Sequence, residues 1–449
     1  MVDRLVVIGG VAAGMSAAAK ARRENRDLEV VVYERGPYIS YAACGMPYWL
    51  AGEVADYQAL IVRTPQQMAK QGVQVHVGHE VTAIDPEMQT VTVRNREEGR
   101  EFPQHYDRLV IATGARSQTP ALADPRHDME GVLGLRSLES GLAVRRFLDE
   151  YRPRRAVIVG GGYVAVEMAE TLRRLGLEVT MLIRSGQVLR TSLDDDVRPL
   201  VEKELAAHDV EVVQGTPLAL EGHGRVTAVV ADGGAHYPCE MVLLGVGAKP
   251  NVELAHQAGV TLGSTGAIAT DKAMRTNLPG TYAAGDCAEV WHRVSDQPVY
   301  LPLGSTANKQ GRVAGTNAAG GQATFGGVVG TMIVRCFDLG VASTGLTAAE
   351  AQALGYQVEE TAITARDLSH YFPGTSDMLV KLVADSQSGR LLGGQVVGAV
   401  AAAKRIDTLA AALHNHMTVP ELQGLDLAYA PPFAPVWDPI LVAANVAAK

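Results

Sequence analysis

The residue with the clearest chemistry is Cys44, in the segment YISYAACGMPYWL that runs from Tyr38 to Leu50. A cysteine thiolate attacks disulfides and forms a mixed disulfide with the molecule that it attacks. Enzymes with an internal disulfide hold two thiols close together, but here Ser40 stands four residues before Cys44. The pattern predicts a single working thiol whose second sulfur arrives with a substrate. The residues after it predict a short helical turn, whose N-terminal dipole would lower the pKa of Cys44.

The other cysteines and the histidines predict no metal site. Cys239, Cys287 and Cys336 are too widely spaced for a zinc site or a disulfide framework, and we expect them to be buried apolar residues. This usage favours a reducing, cytoplasmic location. His414 and His416 lie two apart on a predicted helix, so they would point to different faces.

A glycine turn that follows the first apolar strand predicts a dinucleotide site. In RLVVIGGVAAGMSAAAKARR, Gly9 and Gly14 occupy the first and last glycine positions of G-x-G-x-x-G, and Val11 stands at the middle one. The next strand ends at Glu34, at the spacing of an acidic residue that binds a ribose hydroxyl. A pyrophosphate would rest on backbone N–H groups at the start of the helix.

The pattern recurs in RRAVIVGGGYVAVEMAETLRRLG, with Gly160 and Gly162 in place and Ala165 third. No acidic residue ends the next strand; Arg184 stands there, and Arg190 follows after a short loop. A guanidinium binds phosphate oxygens in pairs, so this site favours the 2′-phosphate of NADPH over NADH. Two such units predict two nucleotides, FAD and NAD(P)H.

Further segments resemble the FAD-dependent pyridine nucleotide-disulfide oxidoreductases, and the resemblance covers essentially the whole chain. Ser40 and Cys44 match the single-cysteine branch, and the closest members are the coenzyme A disulfide reductases. The resemblance implies an α/β fold with two Rossmann-like nucleotide-binding domains plus a C-terminal α+β dimerisation domain. The segments are DRLVIATGARSQTP, MVLLGVGAKPN, TNLPGTYAAGDCAEV, TMIVRCFDLGVASTGLT and LAYAPPF.

The resemblance also implies domain bounds and cofactor contacts. The FAD domain would span 1–117 and 247–322, the NAD(P)H domain 118–246, and the interface domain 323–449. Tyr163 would lie where the nicotinamide binds. The remaining expected contacts with the two cofactors are Gly9, Ala13, Gly14, Glu34, Arg35, Val81, Thr113, Gly114, Asp286, Gly160, Gly162, Arg184, Arg190 and Gly247.

On the substrate side, the resemblance implies a homodimer with active sites shared between its chains. Tyr371 and Tyr429 would reach the partner's Cys44, which would rest as a mixed disulfide with coenzyme A or as a sulfenic acid. The expected contacts of the substrate are Ser16, Lys20, Arg23 and Ser40.

Three positions differ from members of the branch and bear on the alternative functions. Ala43 replaces an asparagine that contacts coenzyme A, and Trp437 replaces a lysine. These changes leave a persulfide or polysulfide reductase possible. An NAD(P)H oxidase that uses oxygen is a further alternative, but Ala12 stands where oxidases and peroxidases of the branch have histidine.

Charge and hydropathy exclude other classes of partner. The net charge of −9 argues against nonspecific nucleic-acid binding, which needs a basic surface. No apolar run approaches the roughly 20 residues of a membrane helix. The N-terminus shows no signal peptide.

Overall fold

The computed structural model describes residues 3–120, 122 and 129–448. Two five-stranded parallel sheets and one five-stranded antiparallel sheet form its framework. This arrangement confirms the predicted α/β architecture with a C-terminal α+β unit. None of the helices in these ranges combines the length and the apolar character needed to cross a membrane.

The N-terminal unit is built around a parallel sheet. Its first stretch contains β1 (Arg4–Ile8), α1 (Ala12–Glu24), β2 (Glu29–Glu34), α2 (Met46–Leu50), α3 (Pro65–Ala69), β3 (Val73–Val77), β4 (His79–Asp85), β5 (Thr90–Asn95), β6 (Glu101–His105), β7 (Arg108–Ile111) and β8 (Ala115–Ser117).

The chain then enters a second parallel unit. It contains β9 (Val132–Gly134), α4 (Leu138–Tyr151), β10 (Arg155–Val159), α5 (Tyr163–Arg174), β11 (Glu178–Ile183), α6 (Arg198–Ala207), β12 (Val210–Gln214), β13 (Pro217–His223), β14 (Arg225–Ala231), β15 (His236–Pro238) and β16 (Met241–Leu244). Its parallel sheet has the order β12-β11-β10-β16-β9.

The chain returns to the first unit through β17 (Ala248–Pro250), which pairs antiparallel with β8. The chain passes between the two units next to these paired strands. The return adds α7 (Glu253–Gln257), β18 (Thr281–Ala283), β19 (Val290–His292), β20 (Gln297–Val299) and α8 (Gly304–Ala318). The first parallel sheet then has the order β18-β7-β1-β2-β3.

Helices α1 and α8 pack closely because glycines of α8 face alanines of α1. A Cβ at Gly311 would lie 2.2 Å from the carbonyl oxygen of Ala13, and one at Gly315 would lie 2.2 Å from that of Ala17. Without side chains between them, the two helix backbones approach each other directly. This contact fixes the start of α1 against the sheet.

The C-terminal unit is an antiparallel sheet with the order β21-β22-β25-β24-β23 and helices beside it. The helix predicted to contain both His414 and His416 is shorter than expected. It ends at His414, and His416 lies beyond it with φ +55°. The elements are β21 (Met332–Cys336), β22 (Leu339–Gly345), α9 (Ala348–Ala353), β23 (Val358–Arg366), β24 (Asp377–Asp385), β25 (Leu391–Ala399), α10 (Ile406–His414), α11 (Val419–Gln423) and α12 (Pro439–Ala447).

Candidate active site

A cleft of about 830 Å³ opens at the carboxyl ends of β1, β2 and β7. Open parallel sheets bind ligands at this edge. Gly14 lies beneath the glycine turn rather than in the wall, and a Cβ there would come within 1.8 Å of the Gly9 carbonyl oxygen. The other residues predicted to contact FAD line the cleft: Gly9, Ala13, Glu34, Arg35, Val81, Thr113, Gly114 and Asp286.

The start of α1 suits a pyrophosphate. No side chain caps this helix and its first turn holds no acidic residue, so its N–H groups face the cleft without a side-chain acceptor. Gly9 has φ +102°, and a Cβ there would lie 2.2 Å from the Ala112 carbonyl oxygen, so the turn requires glycine. The residues of the cleft therefore fit a dinucleotide cofactor.

Glu34 lies at the end of β2, in the wall of the same cleft. Its carboxylate accepts hydrogen bonds from the backbone N–H of Gly10 (2.7 Å) and from that of Gly36 (2.8 Å). Burial raises the pKa of Glu34, and these two N–H groups oppose the rise. The carboxylate is therefore held at the position that suits a ribose hydroxyl.

Asp286 follows β18 and forms an ion pair with Arg136 in the cleft wall. Burial raises the pKa of Asp286, while the Arg136 guanidinium lowers it. Sequence reasoning missed Arg136. No motif marks it, because it comes from the second unit, and only the packing of the two units brings it into this cleft.

Cys44 lies in the wall of this cleft and is exposed. It occupies a 3-10 turn, Ala43–Gly45, directly before α2. Ser40, at φ +46°, ties the loop to the glycine turn through its N–H, which donates to the Gly10 carbonyl oxygen at 2.9 Å. This places the thiol beside the predicted FAD contacts. The other three cysteines are buried.

The pKa of Cys44 differs from the expectation. Although it precedes a helical turn, its pKa is raised, first because the cleft walls desolvate the thiolate and then because Glu167 and Asp286 are negative neighbours. Arg136 lowers the pKa but does not outweigh them. The expected lowering by a helix dipole is therefore not found. Although Cys44 reaches solvent, desolvation by the cleft walls around its thiol and the two carboxylates dominate its pKa.

Glu167 is the second functional candidate that sequence reasoning missed. It lies on α5 one turn after Tyr163, and its Oε1 accepts a hydrogen bond of 3.0 Å from the Tyr48 hydroxyl on α2. Burial raises the pKa of Glu167 to about 7, and the Tyr48 hydrogen bond lowers it only partly. The spacing from Tyr163 was a usable signal, since residues four apart share a helix face.

The second glycine turn resembles the first. Gly160 has φ +120°, and Gly162 caps α5, whose N-terminus likewise lacks a side-chain cap. Tyr163 is the first residue of that helix. Arg184 and Arg190 are exposed past the end of β11, and neither side chain forms a salt bridge or a hydrogen bond within the described ranges. The charge of Arg190 acts on Asp195 at longer range.

Other predicted residues are placed as follows. Gly247 lies on the return between the units with φ +111°. Ser16, Lys20 and Arg23 follow one face of α1, outside the cleft wall. Ser16 nevertheless hydrogen-bonds to Asn308, a wall residue, at 2.6 Å.

Tyr371 and Tyr429 do not belong to the wall of this chain's own cleft. They lie on two C-terminal loops, with exposed fractions of 63% and 48%. Arg405 holds the loops together, because its Nη2 donates to the carbonyl oxygens of Asp367 (2.7 Å) and Phe433 (2.8 Å). The structure therefore places the two exposed tyrosines on loops that are joined by Arg405.

Known proteins resemble this chain over almost its whole length. An NAD(P)H coenzyme A polysulfide/persulfide reductase of Pyrococcus horikoshii is 41% identical over 446 residues, which are 99% of this chain and 98% of that protein. A coenzyme A disulfide reductase of Staphylococcus haemolyticus is 30% identical over 434 residues, 96% of each chain.

Among solved structures, an engineered water-forming NADPH oxidase bound to NADPH, derived from the Lactobacillus brevis enzyme, has a TM-score of 0.94 and 29% identity. The match covers 99% of this chain and 98% of that one. Residues 3–323 match the family described as pyridine nucleotide-disulphide oxidoreductase, and residues 332–439 match its dimerisation domain. The chain is therefore a member of the pyridine nucleotide-disulphide oxidoreductase family.

Proposed function

We propose that this enzyme uses NADPH to reduce the sulfur–sulfur bond of a low-molecular-weight disulfide, with coenzyme A disulfide as the first candidate. The observation that carries the proposal is the setting of Cys44. It is an exposed thiol in the wall of the cofactor cleft, whereas Cys239, Cys287 and Cys336 are at most 1% exposed. A lone accessible thiol must take its second sulfur from the substrate.

The bound FAD supplies the transfer of two electrons from NAD(P)H to the cysteine side of the cleft. The chain itself performs the exchange. The Cys44 thiolate attacks a substrate disulfide, forming a mixed disulfide and releasing one thiolate. Two-electron reduction of that mixed disulfide restores the Cys44 thiolate and releases the second thiol. Once the first thiolate is protonated, the net reaction has taken up one proton, because NADPH and one proton convert the disulfide into two thiols. The enzyme rests with coenzyme A on Cys44.

The dimer completes the site in this proposal. Residues 332–439 match a dimerisation domain. Tyr371 and Tyr429 are exposed, and both lie outside the cleft wall of their own chain. We assign them to the partner's Cys44, where their hydroxyls would donate a proton or a hydrogen bond to the departing thiolate. Ser16, Lys20, Arg23 and Ser40 would contact the coenzyme A chain.

The preference for NADPH rests on the segment after β11. The L. brevis variant bound to NADPH carries substitutions that introduce alanine twice, then arginine and serine, and finally a second arginine. At the same spacing this chain has Ala165, Ile183, Arg184, Ser185 and Arg190, so four of the five introduced residue types are present. The unpaired guanidinium groups support binding of a 2′-phosphate.

A persulfide or polysulfide reductase is the second candidate. Ala43 replaces an asparagine that contacts coenzyme A in the disulfide reductases. Trp437, which is 60% exposed, replaces a lysine of those enzymes. The name of the P. horikoshii relative, which is 41% identical, points to the same sulfur chemistry. Oxygen is a weaker candidate as the main acceptor, because Ala12 in the cleft wall supplies no acid.

An anaerobic panel separates the candidate sulfur substrates. Coenzyme A disulfide, a polysulfide and glutathione disulfide would each be offered with NADPH and with NADH. The proposal expects coenzyme A disulfide with NADPH to give the highest kcat/KM. Cys44→Ser should abolish disulfide reduction but leave reduction of the flavin by NADPH. A clear preference for NADH would refute the role given to Arg184 and Arg190.

The resting state is tested on the enzyme as isolated. Mass spectrometry under non-reducing conditions should find one coenzyme A on the peptide that contains Cys44. Finding only the free thiol would refute the mixed disulfide, and finding an added oxygen would indicate the sulfenic acid instead.

A further inference from the structure

Lys381 lies on β24 of the C-terminal unit and is 1% exposed. Its Nζ lies 3.2 Å from an Asp194 carboxylate oxygen, 2.5 Å from one of Asp196 and 2.6 Å from one of Glu360. Burial disfavours the ammonium, but the carboxylates together outweigh burial and raise the pKa of Lys381. The ammonium therefore joins two aspartates of the second parallel unit to the C-terminal sheet.

Asp194 is held by more than Lys381. Its carboxylate accepts hydrogen bonds from Gln395 Nε2 at 2.6 Å and from the N–H of Ala348 at 3.0 Å. Its own N–H donates to Gln395 Oε1 at 2.9 Å. Gln395 is paired with Lys381 across β24 and β25. The C-terminal unit thus holds both the backbone and the side chain of Asp194.

These aspartates end the segment 184–196, which we name the bridging segment. It begins with Arg184 and contains Arg190, the residues that we assign to the 2′-phosphate. Midway, the N–H of Leu189 donates to the Gly161 carbonyl oxygen at 2.7 Å, which ties the segment to the glycine turn. Ser192 then hydrogen-bonds to the Tyr163 hydroxyl.

We propose that Lys381, although it belongs to the C-terminal unit, is a positioning residue for NADPH. It acts by holding the end of the bridging segment, so that Arg190 and the Ser192–Tyr163 contact keep their places. This inference rests on the proposed function, because it takes the cofactor to lie between Tyr163 and the arginines. It adds a determinant that lies in neither glycine motif.

The physical reason is the charge balance at Lys381. Without the ammonium, Asp194, Asp196 and Glu360 repel one another, and the buried Asp194 loses its only cationic partner within the described ranges. An unpaired buried carboxylate moves toward water, and the bridging segment would move with it. Displacements of about 1 Å in a positioning group reduce enzymatic efficiency strongly.

The test uses Lys381→Met in the FAD-loaded dimer, with Lys203→Met on the exposed side of α6 as the matched control. Lys381→Met should raise the KM for NADPH by about ten-fold or more, because the phosphate and nicotinamide contacts shift together. The KM for the disulfide should stay unchanged, since Cys44 lies in the cleft of the first unit, and no residue of the bridging segment lines that cleft within the described ranges. An unchanged KM for NADPH, with only lower thermal stability, would overturn the proposal.

A second variant covers the case in which Lys381→Met does not fold. Asp196→Asn removes one carboxylate, 51% exposed, and leaves Lys381 with its other two partners. It should raise the KM for NADPH by a few-fold with full FAD content, and an unchanged KM would again overturn the proposal.

The two hypotheses can fail separately. Native enzyme that prefers NADH would refute the phosphate role of the arginines. A rise in the KM for NADH in Lys381→Met would still support the positioning role, and no rise for either nucleotide would refute it.

Discussion

Replacing Glu167 by glutamine should change how stability depends on pH. The fold raises the pKa of this carboxyl from its usual 4.5 to about 7, chiefly by burial. A pKa difference of one corresponds to about 1.4 kcal/mol, so ionising Glu167 in the native protein costs on the order of 3 kcal/mol of folding free energy. Because the pKa is raised, the native state keeps its full stability below pH 4.5 and loses it as the pH rises through about 7.

Glutamine keeps an oxygen for the Tyr48 hydroxyl and never ionises. The stability of Glu167→Gln relative to the native enzyme should therefore rise by up to about 3 kcal/mol between about pH 5 and pH 8.5. Urea denaturation of the FAD-loaded enzyme at one protein concentration measures this difference. Glu87→Gln, which removes an exposed carboxyl, is the control. Its stability should depend on pH in the same way as that of the native enzyme. If the stability of Glu167→Gln has the same pH dependence as that of the native enzyme, the claim that Glu167 is a buried, protonated carboxyl is refuted.

Three further outcomes follow from the site. Glu167→Gln should shift iodoacetamide labelling of reduced Cys44 to lower pH, because a negative neighbour that raises the thiol pKa is gone. Arg190→Ala should raise the KM for NADPH by about ten-fold or more and leave that for NADH nearly unchanged, as expected for a charged hydrogen bond to phosphate. Gly311→Ala should destabilise the protein by about 1–3 kcal/mol and weaken FAD retention, because its Cβ would strike the backbone of α1.

Each outcome has its own control. Cys44→Ser gives the background labelling, and labelling that keeps its native pH profile in Glu167→Gln would contradict the coupling. Equal effects of Arg190→Ala on both nucleotides would point to general misfolding. Gly424→Ala tests the glycine argument, because its Cβ would meet its nearest neighbour at an ordinary 3.6 Å. If both alanine variants retain FAD equally, the close contact of α1 and α8 is not needed.

Local patterns in the sequence were sufficient for the two nucleotide-binding units. A strand, a glycine turn and a helix are encoded by neighbouring residues, so β1 with α1 and β10 with α5 were predictable. The helix with the two histidines was predicted too long, because helical spacing continues past His414 while the backbone of His416 turns to φ +55°.

The pKa of Cys44 shows where sequence reasoning reached its limit. A helical turn after the thiol predicted a lowered pKa, but desolvation in the cleft and carboxylates from distant positions raise it. Desolvation of the thiol depends on the assembled walls of the cleft, and the residues next to Cys44 in the sequence do not reveal it.

The sequence by itself determined the functional groups of the site: one candidate thiol, two glycine turns and a loop that contains arginines. Only the tertiary structure decided which charged and polar side chains contact one another. Arg136 reaches Asp286, Glu167 reaches Tyr48, and Lys381 reaches two aspartates nearly 190 residues away, at Asp194 and Asp196. Electrostatic interactions depend on distance in space and on burial, and both are fixed only when the three units pack against one another.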